Sequence, residues 1–325
     1  MAPLYRKTAS FLTAVFLCLS SFPAHLNAQD SKEPAPGDSP VPPAPPGAIT
    51  IAAYNLMNYL AMERRVNGET VPDASKPEAE IKAVIEGLVA IRPDILGVCE
   101  LGDSRFLSDL QTRLRAEGID LPHTELVKDS AGWNRNIALL SRFPIIARHS
   151  RDDYTYELDG TRHAVQRGVL DVKIAVSPTY HLRYIGLHLK SKREVPEGDQ
   201  ALMRLNEARL ARLHLDRILE AEPGANLIVA GDFNDLRGEA PVKTIQGGFG
   251  GKGYLTALGL EDPYGFRWTH HWSFADAYSR FDYVLYSEGL KDELVRNASG
   301  IHHWKNWDKA SDHRPLFVRI LPEDR

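Results

Sequence analysis

Short apolar runs alternate with helical periodicities along most of the chain, and polar residues repeatedly stand where an apolar run stops. "AITIAAYNL" predicts a buried strand that delivers Asn55 to its carboxyl end. In "PEAEIKAVIEGLVAIRPDILGVCEL", Ile81, Val84, Ile85, Leu88 and Val89 recur at helical spacing, Pro93 ends the pattern, and "DILGVCE" is the next strand, with Glu100 at its end. A second helix is expected over "DSRFLSDLQTRLRAEG" and a strand within "WNRNIALLSRFPI". "GVLDVKIAV" and "HLRYIGLHL", separated by "SPTY", suit a hairpin whose second strand delivers His188. The longest helical pattern is "DQALMRLNEARLARLHLDRILEAE", with Leu202, Leu205, Leu210, Leu213 and Ile218 expected on one buried face. "NLIVAGDFND" is a buried strand that breaks at Gly231, and "SRFDYVLYS" and "RPLFVRIL" complete the set. Strands buried on one or both faces, interleaved with amphipathic helices, predict an α/β or α+β sandwich with one shared polar rim.

The N-terminus departs from this pattern. Arg6 and Lys7 precede an apolar run from Phe11 to Leu19 and a small-residue exit at "LNA" before Gln29, the arrangement of a secretory signal peptide over residues 1–28. The run is shorter than the ~20 residues a spanning helix needs, and no other stretch qualifies, so no transmembrane segment is expected. Export would leave the product secreted or periplasmic. Cys18 lacks the small preceding residues of a lipidated cysteine, but surface tethering stays open. Residues 29–48 are rich in proline and small residues and read as an extended linker; residues 49–325 read as one domain. Without the signal a single cysteine, Cys99, remains, so stability must come from packing, not a disulfide. A formal charge of -4 argues against bulk attraction of polyanions while permitting a local basic groove.

Asn55, Glu100, Asp232, Asn234, Asp282 and Asp312 each stand beside a short apolar strand, and an oxygen-rich set of this kind suits Mg²⁺ or Mn²⁺ better than zinc. Each also has an ordinary explanation as a cap, a turn or a solvated strand end. His188 is followed by Lys190, Ser191, Lys192 and Arg193, a cluster suited to phosphate or simply to an exposed loop. His313, in "SDHRPL", needs an orienting carboxylate to act as acid or base, and Asp282 is the natural candidate. The pairs His270-His271 and His302-His303 are expected in loops without a catalytic role.

The ordered set "YNLMNY", "RPDILGVCE", "NIALLSRFPI", "GLHLKS", "GDFND", "SRFDYVL" and "SDHRP" resembles the endonuclease/exonuclease/phosphatase superfamily over Ile49 to Leu321. The resemblance implies an α+β, four-layered α-β-β-α sandwich of two packed mixed sheets, with the active site where the sheets open. It implies metal ligation by Asn55, Glu100 and Asp312, with one or two Mg²⁺ ions, Mn²⁺ being an alternative. Asp232 would orient or deprotonate the attacking water, Asn234 would hold that water and a phosphate oxygen, and His188 would bond the phosphate. His313 would act paired with Asp282. Arg167 and Lys190 are expected as further phosphate contacts. The implied activity is phosphodiester hydrolysis, with nucleic acid as the first expected substrate and no stable protein partner. A phosphomonoesterase, a sphingomyelinase-like lipid phosphodiesterase and a non-catalytic surface-binding protein are the alternatives. Arg204, Arg209 and Arg212 on the long helix would suit a nucleic-acid backbone, and Tyr59, Trp133, Trp268 and Trp272 could stack on bases.

Overall fold

The computed structural model describes residues 40–323; residues 1–28, expected to be a signal peptide, and residues 29–39 of the expected linker lie outside the described residues. Two mixed six-stranded sheets pack face to face. The first runs, in spatial order, Gly300–Ile301, Leu316–Ile320, Ile49–Tyr59, Ile95–Leu101, Asn136–Ser141 and His123–Val127. The second runs Thr256–Ala257, Asp282–Tyr286, Leu227–Asp232, His181–His188, Leu170–Ala175 and Ile145–Arg148. In each sheet one central pair is parallel: Ile49–Tyr59 with Ile95–Leu101, and His181–His188 with Leu227–Asp232.

Side-chain alternation builds the layers. Ile49, Ile51 and Ala53 point between the sheets, where they meet Tyr184, Ile228 and Val284 from the second sheet. Their neighbours Ala52, Tyr54 and Leu56 point outward to the helices Glu78–Ile91 and Ser104–Ala116. On the other side Leu227 and Val229 face the helices Gln200–Ala221 and Ala240–Gln246. The order is helix, sheet, sheet, helix, as expected. The sheets approach so closely at Gly97 that a Cβ there would lie 1.9 Å from the Tyr184 hydroxyl.

Three expectations change. The buried face of Gln200–Ala221 is formed by Met203, Arg204, Glu207, Ala208, Ala211, His214, Leu215, Ile218 and Leu219, whereas Leu202 and Leu213 are exposed. Apolar periodicity pointed to the wrong face because three buried polar residues on it find charged or backbone partners, and a paired polar group tolerates burial. His270 and His271 lie on a short strand, His270–Trp272, paired with Ala277–Ser279, not in a loop. The end of the proline-rich stretch rests on the domain: Val41 packs against the outer core of the first sheet and the Arg319 guanidinium donates to the Pro42 carbonyl.

Candidate active site

Parallel pairing carries both central strands to the same edge of the sandwich. His188 lies beside Asp232 in register, and Asp232 lies beside Asp282. Gly231 permits the turn into this edge: its φ is +136°, and a Cβ would meet the Leu187 carbonyl oxygen at 2.0 Å. Across the cleft, regular pairing of the first strand stops at Asn55, and Met57, Asn58 and Glu100 adopt positive φ where the chain bends around the rim. Ser311 closes the edge. Its hydroxyl donates to the Asn55 carbonyl at 2.8 Å and accepts from His313 N–H at 3.0 Å, which fixes the late "SDH" segment to the first strand.

One carboxylate oxygen is the hub. Asp232 Oδ2 receives Asn55 Nδ2 and Asn234 Nδ2, both at 3.1 Å. It also lies 3.6 Å from His188 Nε2 and 3.7 Å from His313 Nε2. Asp232 Oδ1 receives the Asn234 N–H at 2.8 Å. Burial, reinforced by Asp282 and opposed by His313, pushes the Asp232 carboxyl up to about 7. His313 Nδ1 faces Asp282 Oδ2 at 2.7 Å, the expected orienting contact. Burial disfavours the imidazolium, but Asp282, Asp232 and Asp312 outweigh it and hold His313 well above the usual histidine range. His188 goes the other way, pushed well below that range by burial and by Arg167, His313 and Arg135. The edge therefore sets a cationic imidazole and a neutral one on two sides of the same carboxylate.

Arg167 is buried beside this group, its Nε without a partner, as is Nδ1 of His188. Orphaned buried donors fit an anionic ligand that would satisfy them. Lys190 does not join the site: its ammonium donates to the Ser191 and Arg193 carbonyls and ties its own loop. Arg204 is buried against Asp235, and Arg212 pairs with Asp216 and the carbonyls that end the helix Ala240–Gln246, so the long helix presents only Arg209 of its three expected arginines to solvent. Tyr59 is buried with its hydroxyl on Asp109, and Trp268 lies under the Arg314 guanidinium, so neither offers a free stacking face. Trp133 and Trp272 are exposed.

Glu100 Oε2 accepts the Asn58 N–H at 2.9 Å, and Oε1 lies 4.0 Å from His188 Nε2, beyond hydrogen-bond reach. Asn55 Oδ1 accepts the Met57 N–H at 3.0 Å; its second lone pair remains for a cation. The half-buried Asp312 supplies another carboxylate. Oxygens from Glu100, Asp312 and Asn55 fit a hard divalent cation. Two residues here escaped the sequence reading. Arg135 lies 4.0 Å from Glu100 and bonds Asn58 Oδ1, and the buried Lys76 ties the Met57 carbonyl. The only signal for either was a basic residue just before a predicted strand or helix.

The four-layered sandwich with its two packed mixed sheets is the fold of a class of phosphoric ester hydrolases. The Endonuclease/Exonuclease/phosphatase family profile matches residues 62–313, and the chain belongs to that family. Truncated TDP2 of Caenorhabditis elegans superposes with a TM-score of 0.58 at 15% identity, covering 84% of this chain and 97% of that one. Sphingomyelinase C of Streptomyces griseocarneus gives 0.54 at 17% identity, covering 84% and 99%. ANGEL2, a 2',3'-cyclic phosphatase, gives 0.58 at 13% identity, covering 84% and 96%. At these identities the likeness is one of fold. No curated protein sequence matches the chain.

Proposed function

We propose that the protein is a secreted, divalent-metal-dependent phosphodiesterase whose first substrate is nucleic acid. The observation that carries this reading is the Asp232 Oδ2 hub, with two amides at 3.1 Å and two imidazoles within 3.7 Å. A carboxyl near neutrality is matched to taking a proton from water at working pH. As the water oxygen bonds to phosphorus, Asp232 receives its proton and Asn234 holds the water in line. His188 and Arg167 bond the non-bridging oxygens, and the P–O bond to the ester oxygen breaks on the opposite side, the departing alkoxide taking a proton from solvent. The charged His313, held by Asp282, stabilises the negative charge of the transition state. A divalent cation held by Glu100, Asp312 and Asn55 would add charge neutralisation at the phosphoryl oxygens.

One observation favours a second reading, a lipid phosphodiester. The hairpin beside His313 exposes Trp272, Phe274 and Tyr278, Phe274 at 90%, as a membrane-contacting element would. No helix among the described residues is long and apolar enough to cross a membrane. Product release from DNA, RNA, sphingomyelin vesicles and bis-p-nitrophenyl phosphate, with and without EDTA, decides between the readings. EDTA-sensitive cleavage of nucleic acid with inert sphingomyelin is the expected result. Activity confined to sphingomyelin, or absent on every diester, overturns it.

A further inference from the structure

The hairpin His270–Trp272/Ala277–Ser279 is stitched by its backbone to the segment that carries His313. Arg314 N–H donates to the Thr269 carbonyl at 2.7 Å and His271 N–H to the Asp312 carbonyl at 2.8 Å, which sets His270 opposite His313 in an antiparallel bridge. Side chains opposite one another in such a pair leave the same face with Cβ atoms about 4.5–5.5 Å apart. The two imidazoles accordingly converge, with ring centroids 4.7 Å apart. Asp312 joins them: its Oδ2 lies 3.8 Å from His270 Nε2 and its Oδ1 4.0 Å from His313 Nε2. One donor atom from each of the three residues lies within 4.8 Å of the other two.

We propose that His270, Asp312 and His313 form a site for a borderline-soft transition-metal ion, Zn²⁺ first, separate in chemistry from the oxygen-ligand position at Glu100. Two imidazole nitrogens and one carboxylate with an open fourth position are a zinc donor set, whereas Mg²⁺ takes oxygen. Zinc bonds of about 2.0–2.1 Å in a tetrahedron set neighbouring donors roughly 3.3 Å apart, so small side-chain rotations close the site on the ion. His313 is prepared for ligation. Its Nδ1 contact with Asp282, at 2.7 Å, is the carboxylate–histidine arrangement of metal-ligating imidazoles, and the arriving ion takes the place of the Nε2 proton, which is released to solvent. The backbone bridge fixes the second imidazole before any ion arrives, so little ordering is needed on binding.

Zinc bound there occupies His313 Nε2 and draws Asp312 from the Mg²⁺ side. On the proposed function, which this consequence rests on, Zn²⁺ is therefore an inhibitor of Mg²⁺-supported hydrolysis. The site itself is read without substrate, by titrating the intact protein with Co²⁺, following the visible absorption of a tetrahedral complex and displacing it with Zn²⁺. Loss of a ligand should cost at least the about 10-fold in affinity that loss of an outer-shell partner does, in both His270→Ala and His270→Gln. Glu100→Gln should leave Zn²⁺ affinity unchanged. The His270 variants should keep their Mg²⁺-supported rate on bis-p-nitrophenyl phosphate and resist Zn²⁺. No tetrahedral band in the wild type, or undiminished Zn²⁺ affinity or inhibition in both His270 variants, overturns the site. A wild type that hydrolyses no diester removes the proposed function, and the Co²⁺ band still decides the metal site.

Discussion

Replacing Arg204 by methionine removes a charge from the point where two loops of the site are tied to one side chain. Arg204 Nε donates to Asp235 Oδ2 at 2.9 Å, and another guanidinium nitrogen donates to the carbonyls of Lys190 at 3.1 Å and Ser191 at 3.3 Å. Asp235 follows the turn of Asp232 and Asn234; Lys190 follows His188. The pair is sealed, with side-chain exposures of 2% and 5%. Methionine keeps most of the stem volume but strands the carboxylate and two carbonyls. Breaking a buried pair from one side costs about 3–5 kcal/mol. Asp235 keeps Lys192, 2.6 Å away, as a second partner, so the lower end, about 3 kcal/mol, is expected. At about 2–4 °C per kcal/mol, that is a Tm lowered by roughly 6–12 °C.

The assay is calorimetry and urea denaturation of wild type, Arg204→Met, Asp235→Asn and the double variant, with kcat/KM measured alongside. The double variant should recover a large part of the loss, because no charge is left buried alone. The deficit should also depend on pH. Burial raises the Asp235 carboxyl, but Lys192 and Arg204 outweigh it and hold it below its usual range. Its folded pKa is thus below the unfolded value of about 3.9, so the stabilisation is full above that value and is lost as pH falls through the folded pKa. The Arg204→Met deficit should therefore be largest at neutral pH and shrink below about pH 4. An Arg204→Met Tm within about 2 °C of wild type at neutral pH would show that the pair does not hold these loops.

Glu100→Gln should raise the Mg²⁺ concentration for half-maximal rate by at least about 10-fold, read from an Mg²⁺ titration; an unchanged curve counts against Glu100 as a ligand. His313→Ala should lower kcat by about 10²-fold or more with near-ultraviolet dichroism retained, and a fully active folded variant refutes the role. Asp171 is buried, yet His214 and Arg183 hold its carboxyl below the usual range, so its stabilisation is present above about pH 3.9 and lost as pH falls. Asp171→Asn should cost about 3 kcal/mol at neutral pH in urea denaturation, with the gap closing in acid. Joint Trp272→Ala and Phe274→Ala replacement should leave a soluble diester untouched; a selective loss on vesicles would favour the lipid reading.

What the sequence made legible was local. Asn55, Glu100, His188 and Asp232 came from short apolar runs that stop at a polar residue, Asp282 from the polar position beside such a run, and His313 from the "SDHRPL" segment before the last strand. The Asp282–His313 pairing was expected and the structure gives it at 2.7 Å. What failed depended on partners distant in sequence. Arg204 read as a contact for a nucleic-acid backbone, and Glu207 and His214 were not singled out, because only the fold brings Asp235, the Gln166 and Lys190 amides, and Asp171 to them. Lys190 read as a phosphate contact because nothing in "HLKSK" says that its own loop would fold back over the ammonium. His270 was set aside because a three-residue strand has too few positions to show a period.

The buried polar residues behind the rim explain why a site assembled from strand ends can be precise. Strand ends fray, since pairing stops there and side chains lose neighbours on one side. Here the long helix turns a charged face inward. Glu207 accepts the amides of Gln166 at 3.1 Å and Lys190 at 2.6 Å, and Arg204 holds the carbonyls of Lys190 and Ser191 together with Asp235. The chain segments that present Arg167, His188 and Asp232 are thereby tied to one helix. Unlike apolar packing, a buried ion pair fails steeply when one partner shifts, so it favours a single arrangement of the segments it joins. The opposite side of the mouth has its own sealed pair, Arg314 with Asp262 at 2.6 Å, and the Arg314 guanidinium also donates to the Trp268 carbonyl just ahead of the ribbon. There the two-stranded ribbon with Trp272 and Phe274 is tied to the core by a few backbone bonds, among them those to Asp312 and Arg314. The aromatic tip of the ribbon, Trp272 and Phe274, is exposed and carries none of the proposed catalytic groups, so substitutions there should change which substrate is taken before they change whether a phosphodiester is cleaved.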